Sequence, residues 1–174
     1  MLLKQEKLLG IVTLIFGKES NMSAQLTYPQ SPAIGFQGMI AQNFAVKQID
    51  SGLVETAALG LGYAVVNGTA DNQYVKAAAD EAVAGVVVHV SGREQAADGS
   101  VTFAVGEAVP VMKKGRFFGV ANGAIAKGTT VAFDPATNKF GPVVGTTTTL
   151  AVGGARTASA ADGDLIVIEI HKTV

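Results

Sequence analysis

From residue 165 to 171 the chain reads LIVIEIH, and its apolar and polar positions alternate. Ile166, Ile168 and Ile170 fall on one face. Leu165, Val167, Glu169 and His171 fall on the other, which turns polar toward the C-terminus. A period of two predicts a strand with one face against a core. The run VVVHV at 86–90 is β-branched nearly throughout and reads as a strand buried on both faces. The same reading predicts strands at 44–49, 63–66, 101–105, 108–112, 116–121, 129–133 and 147–152.

The breaks between these runs have turn chemistry. Asn67-Gly68, Asp98-Gly99, Asn122-Gly123 and Asp162-Gly163 are Asx-Gly pairs, which tolerate the positive φ of tight hairpins. Residues 134–139 (DPATNK) read as a longer connection into Phe140. The one basic cluster, Lys113-Lys114-Gly115-Arg116, falls between two predicted strands and reads as a solvated hairpin tip. Residues 76–84 (KAAADEAVA) are strong helix formers but few, so a turn or two of helix is the most expected there. No repeat at a fixed period is visible. The predicted fold class is all-β: a small β-barrel or sandwich with many short strands, an extended N-terminal arm and little helix.

The N-terminal part departs from this pattern. Residues 1–21 (MLLKQEKLLGIVTLIFGKESN) carry an apolar run at 8–16 behind Lys4 and Lys7, which resembles a signal peptide, but residues 17–21 lack a small-residue cleavage site. Lys18-Glu19 can be encoded as a purine-rich ribosome-binding sequence ahead of Met22. The segment therefore reads as a non-native upstream leader or a disordered arm. Residues 22–36 read as an extended arm, because Pro29 and Pro32 remove donors and hold their neighbours extended. A frayed terminus is the other reading of that stretch. Leu26, Tyr28, Pro29 and Phe36 have little to bury against on an isolated subunit and are expected to make intermolecular contacts. Residues 37–174 form the β-rich domain.

Composition narrows the function. The chain has 174 residues, enough for one domain with a core. The formal net charge is −1, so no basic field favours nucleic acid. Charged residues make up 16%, against roughly 25% in typical soluble domains. So thinly charged a surface suggests that partners cover part of it; a monomer rich in Ala and Gly is the alternative. There is no Cys, which excludes disulfides, thiolate metal sites and Cys nucleophiles. No apolar run reaches the roughly 18–20 residues of a membrane span.

Catalytic signatures are weak. His89 and His171 are the only histidines; His89 lies in a strand and His171 near the terminus, a poor basis for zinc. Gly60-Leu61-Gly62 lacks the third glycine of a dinucleotide loop, and neither a phosphate-binding loop nor a nucleophile elbow occurs. Asp162-Gly163-Asp164 offers too few ligands for an EF-hand and reads as a turn. Glu94, Glu107 and Glu169 are the carboxylates that could do acid–base work. No catalytic, cofactor or metal site is predicted.

Four segments in order carry a family resemblance: residues 62–68 (GYAVVNG), 85–95 (GVVVHVSGREQ), 106–115 (GEAVPVMKKG) and 126–131 (AKGTTV). Together they resemble the structural cement, or capsid decoration, proteins of tailed-bacteriophage heads, over about residues 27–173. The resemblance implies a non-enzymatic β-rich protein on the outer surface of the capsid in the virion. It would bind the major capsid protein and stabilise contacts between neighbouring capsomers, with no cofactor, nucleic acid or membrane. With the sparse charge it also implies a homo-oligomer, a homotrimer expected ahead of a dimer. Two other classes are a carbohydrate-binding or adhesin-like β module and a small β-barrel hydrolase. The first usually presents Trp or Tyr platforms, and here there is no Trp and only Tyr28, Tyr63 and Tyr74. The second needs converging His and carboxylate groups.

Overall fold

The computed structural model describes residues 35–41, 47–90 and 100–171. In chain order the strands are β1 (Gln48–Val54), β2 (Leu59–Gly60), β3 (Ala64–Asn67), β4 (Gln73–Lys76), β5 (Gly85–Val87), β6 (Thr102–Phe103), β7 (Ala108–Val120), β8 (Thr130–Asp134), β9 (Lys139–Pro142), β10 (Ala151–Ala155) and β11 (Leu165–His171). A single 3₁₀ turn, Gly145–Thr147, precedes β10, and no α-helix occurs among the described residues. The fold is all-β, as the alternation predicts.

Five strands close a barrel in the order β1-β4-β3-β5-β7, with β7 returning to β1. The closing seam between β1 and β4 is short and parallel. It requires Gly52, because a Cβ there would lie 2.5 Å from the Asn72 carbonyl and from the Tyr74 ring. Val65, Val87, Val109 and Val111 point into the barrel and pack with Leu59, Tyr74 and Phe103. Their strand neighbours Ala64, Val86 and Met112 point outward, yet they are also buried. They pack on a second, larger cluster around Phe117, Phe133, Phe140, Ile166 and Ile168. This is why residues 86–88 are apolar on both faces: the barrel wall has a core on each side.

Strand β7 serves both cores. Up to Met112 its odd positions face the barrel; beyond it the odd position Phe117 faces the larger cluster. The parity changes at a bulge. Ile49 pairs with Met112 and Gln48 with Lys114, leaving Lys113 as the extra residue. One added residue moves every later side chain to the opposite face. Gly115 follows at φ 138, a backbone region that L side chains rarely adopt. The outer half of β7 pairs along its length with β11, and the sheet continues through β10, β8 and β9. It curls back where Asn122 N–H donates to the Phe140 carbonyl at 2.7 Å. Across β7 from β11, residues 38–41 are held by Gly38 N–H on the Phe118 carbonyl and Phe118 N–H on the Met39 carbonyl, both 2.8 Å.

Several sequence expectations are corrected. Residues 108–112 and 116–121 are not two strands around a hairpin tip; they belong to one strand of 13 residues, with the Lys-Lys-Gly cluster at its bulge. Residues 76–84 form no helix. Ala77 and Ala84 N–H groups instead donate to Ala64 and Val65 carbonyls, and Asp80 turns the chain at φ 64. Residues 147–152 are not a strand throughout, since the 3₁₀ turn ends at Thr147 and β10 starts at Ala151. The strand predicted at 101–105 shrinks to Thr102–Phe103. The candidate at 44–49 lies partly outside the described residues, as do Glu94 and Asp98-Gly99 entirely.

Candidate interaction surface

Alternation on β7 and β11 puts Phe117, Ile166 and Ile168 inward and leaves Arg116, Phe118, Leu165, Val167 and Glu169 on the outer face. Residues 38–41 border that face on one side and residues 156–158 and 163–165 on the other. Between them lies an open groove of about 1060 Å³. Met39, Ala41, Phe118, Leu165 and Val167 supply its apolar lining.

One carboxylate dominates the polar part of this face. Glu169 sits opposite Arg116 in the β7–β11 register. Arg156 follows β10 and is fixed by its own N–H donating to the Val167 carbonyl at 2.7 Å. Arg116 and Arg156 each donate from Nε to Glu169 Oε2, at 2.5 and 2.6 Å. Glu169 is almost completely buried although it lies on the outer face, because the arginines cover it. Its hydrogen bond, and then its charge, push the Arg156 pKa above the usual guanidinium range. Buried acids survive only with such partners. Glu169 thus ties β7 and β11 to the segment that follows β10.

Glu107, Asp164 and Asp162 are also engaged in structure. Glu107 Oε2 accepts the Ala104 N–H in the turn before β7. Asp164 Oδ2 accepts the Ala160 and Ala161 N–H groups at 2.9 Å. Asp162 is paired with Lys139 at 2.6 Å, and that hydrogen bond holds its carboxyl below the usual range. Residues 162–164 therefore form a turn. Among the described residues no group of three or more His, Asp or Glu side chains could hold a metal ion. Among the same residues no helix is long and apolar enough to cross a membrane.

Of the four arm residues, Leu26, Tyr28 and Pro29 lie outside the described residues. Phe36 is half-buried against the barrel core and meets His89 edge-on, ring centroids 5.2 Å apart. His89 N–H in turn donates to the Gly38 carbonyl at 2.8 Å. Sequence reasoning missed the Arg116–Glu169–Arg156 cluster. The available signal was a single acid in an otherwise apolar strand, which demands a counter-charge. Nothing local pointed to either arginine: Arg116 is 53 residues away along the chain, and Arg156, 13 away, lies across a turn.

A search of curated proteins found no match. The family model described as structural cement protein (E217 gp24/Pam3 gp6) matches residues 24–171, most of the chain. That span contains the barrel, the second core and the outer groove. The chain belongs to the phage structural cement protein family.

Proposed function

We propose that this protein binds the outside of a phage capsid and stabilises contacts between neighbouring capsomers, without catalysis or cofactor. The observation that carries this reading is the family match across residues 24–171. Its physical support is a body with apolar grooves, whose most buried carboxylate is already held by two arginines. The partner is the major capsid protein, and the site of action is the outer surface of the virion. Nucleic acid and membrane play no part. The protein acts as a homo-oligomer, a trimer favoured over a dimer, because closed symmetry suits repeated lattice positions.

The arm belongs to the same reading. Leu26, Tyr28 and Pro29 contact a capsid subunit or another copy, and Phe36 anchors the arm's root to the body while its exposed part joins that contact. Each large side chain fully buried contributes roughly 1.5–3 kcal/mol, against roughly 1–2 kcal/mol for each backbone residue ordered. A few good anchors therefore decide the outcome. Residues 1–21 are not needed for capsid binding. Thermal melting and retention on washed capsids, measured for three chains, test both points. Removing residues 1–21 is expected to change neither quantity. Removing residues 1–32 is expected to weaken retention and leave melting unchanged. Unchanged retention would make the arm a frayed end, and a collapsed melt would place it in the domain's own core.

A further inference from the structure

From Phe140 to Ala155 the chain has sixteen residues without one charge: FGPVVGTTTTLAVGGA. In a core strand this would be ordinary, but much of this stretch faces outward. Eight residues, 142–147 with 150 and 151, are exposed. They include three of the most exposed large apolar side chains in the described body: Val143 at 46%, Val144 at 55% and Leu150 at 47%. A small apolar groove bordered by Leu150 and Val83 continues the surface.

The loop is held in shape from beneath. Thr148 and Thr149 are buried. Thr148 Oγ1 accepts the Val144 N–H at 3.1 Å, and Thr149 Oγ1 accepts the Phe133 N–H at 3.1 Å. The Thr148 carbonyl accepts the Asp80 N–H, and Leu150 N–H donates to the Glu81 carbonyl, both at 2.9 Å. Thr147 N–H closes the turn on the Val144 carbonyl at 3.0 Å. The ordering cost of this loop is therefore met in the free protein, so its apolar tip is available for binding at full value. Charge confined to the rim, here Asp80 and Glu81, around an uncharged centre is the composition of an interface.

We propose that residues 142–151 form a preorganised contact with an uncharged apolar patch on the capsid subunit. The proposal rests on the capsid-binding reading above. Size favours the shell over a second copy as occupant. A standard stable interface uses roughly 20–30 residues a side, and this loop presents eight. It is too small to hold a dimer by itself. It suits a partner fixed in a lattice, where several weak contacts act together.

The test is co-sedimentation of the full chain with undecorated heads of the phage that encodes it. Val144→Asp places a charge at the loop tip. Val105→Asp is the control, an equally exposed valine (55%) in the turn before β7. V144D is expected to weaken binding about tenfold or more, since it buries an unpaired charge in the contact. V105D should bind as the native chain does. If both variants bind like the native chain, the loop proposal is overturned while capsid binding stands. If the native chain itself fails to bind, the capsid reading falls and the proposal with it. If V144D instead abolishes self-association in sedimentation velocity and leaves head binding intact, the occupant is a second copy and the proposal is wrong. Should V144D lower the melting midpoint, Thr146→Lys at the exposed turn puts the same question, and native-like head binding by it counts against the loop.

Discussion

The outer face around Glu169 and the loop at 142–151 lie in the same lobe and solve opposite problems. At Glu169 a charge is buried, and two arginines from neighbouring segments are spent on holding it. Along the loop there is no charge at all, and apolar side chains stand in water over a hydrogen-bonded base. In the first region the charge is satisfied within the chain and serves stability. The second is left incomplete, and in our reading is finished by a partner. Stability and adhesion should therefore respond to different substitutions.

The largest effect is expected at the first region. Glu169→Ala leaves two guanidiniums sharing an empty position. Removing one member of a buried pair costs about 3–5 kcal/mol. Here Arg116 and Arg156 keep 33% and 47% of their side-chain surface exposed, so water takes up part of the loss. About 1–3 kcal/mol is expected, read from denaturant unfolding. Head binding per folded molecule should fall less than in V144D, because Arg116 and Arg156 border the groove but its apolar lining is left in place. An E169A variant as stable as the native chain would remove the distinction between the two regions.

A smaller effect is expected where a charge pair merely decorates the strand that serves both cores. Lys113, the extra residue of the β7 bulge, pairs with Asp50 at 2.5 Å. Both side chains are about a third exposed. Lys113→Ala is expected to cost less than about 1 kcal/mol. The hydrogen bond to Asp50 raises the Lys113 pKa, outweighing the lowering by burial. A raised folded pKa means that the contribution is complete below the ordinary lysine value, near pH 10.4, and fades as pH rises through the folded value. The stability gap between native chain and K113A should thus be flat around neutral pH and close in alkali. A gap that closes between pH 5 and 8 would assign it to another group.

Much of the architecture was legible because it is local. The alternation at 165–171 gives β11 and its inner face, since Ile166, Ile168 and Ile170 are all buried. Three consecutive valines announce a wall with core on both sides. The misreadings have long-range causes. Lys-Lys-Gly looks like a turn, but β7 is paired on both sides of the bulge, and that pairing holds the chain extended through it. Residues 76–84 favour helix by propensity, yet the N–H groups of Ala77 and Ala84 are captured by β3 carbonyls and that of Asp80 by the Thr148 carbonyl. Glu169 was visible as an acid in an apolar strand; Arg156 as its partner was not, because that contact depends on how β10 meets β11. The uncharged stretch at 140–155 is plain in the sequence, but nothing in sequence tells an exposed apolar loop from a buried strand.

In our reading the protein works by adding interface to a shell. Release of packaged DNA on heating, compared for heads with and without bound protein, tests this most directly. Heads that carry the protein should release DNA at a higher temperature, and the increment should grow with occupancy. Equal release temperatures at full occupancy would contradict the account.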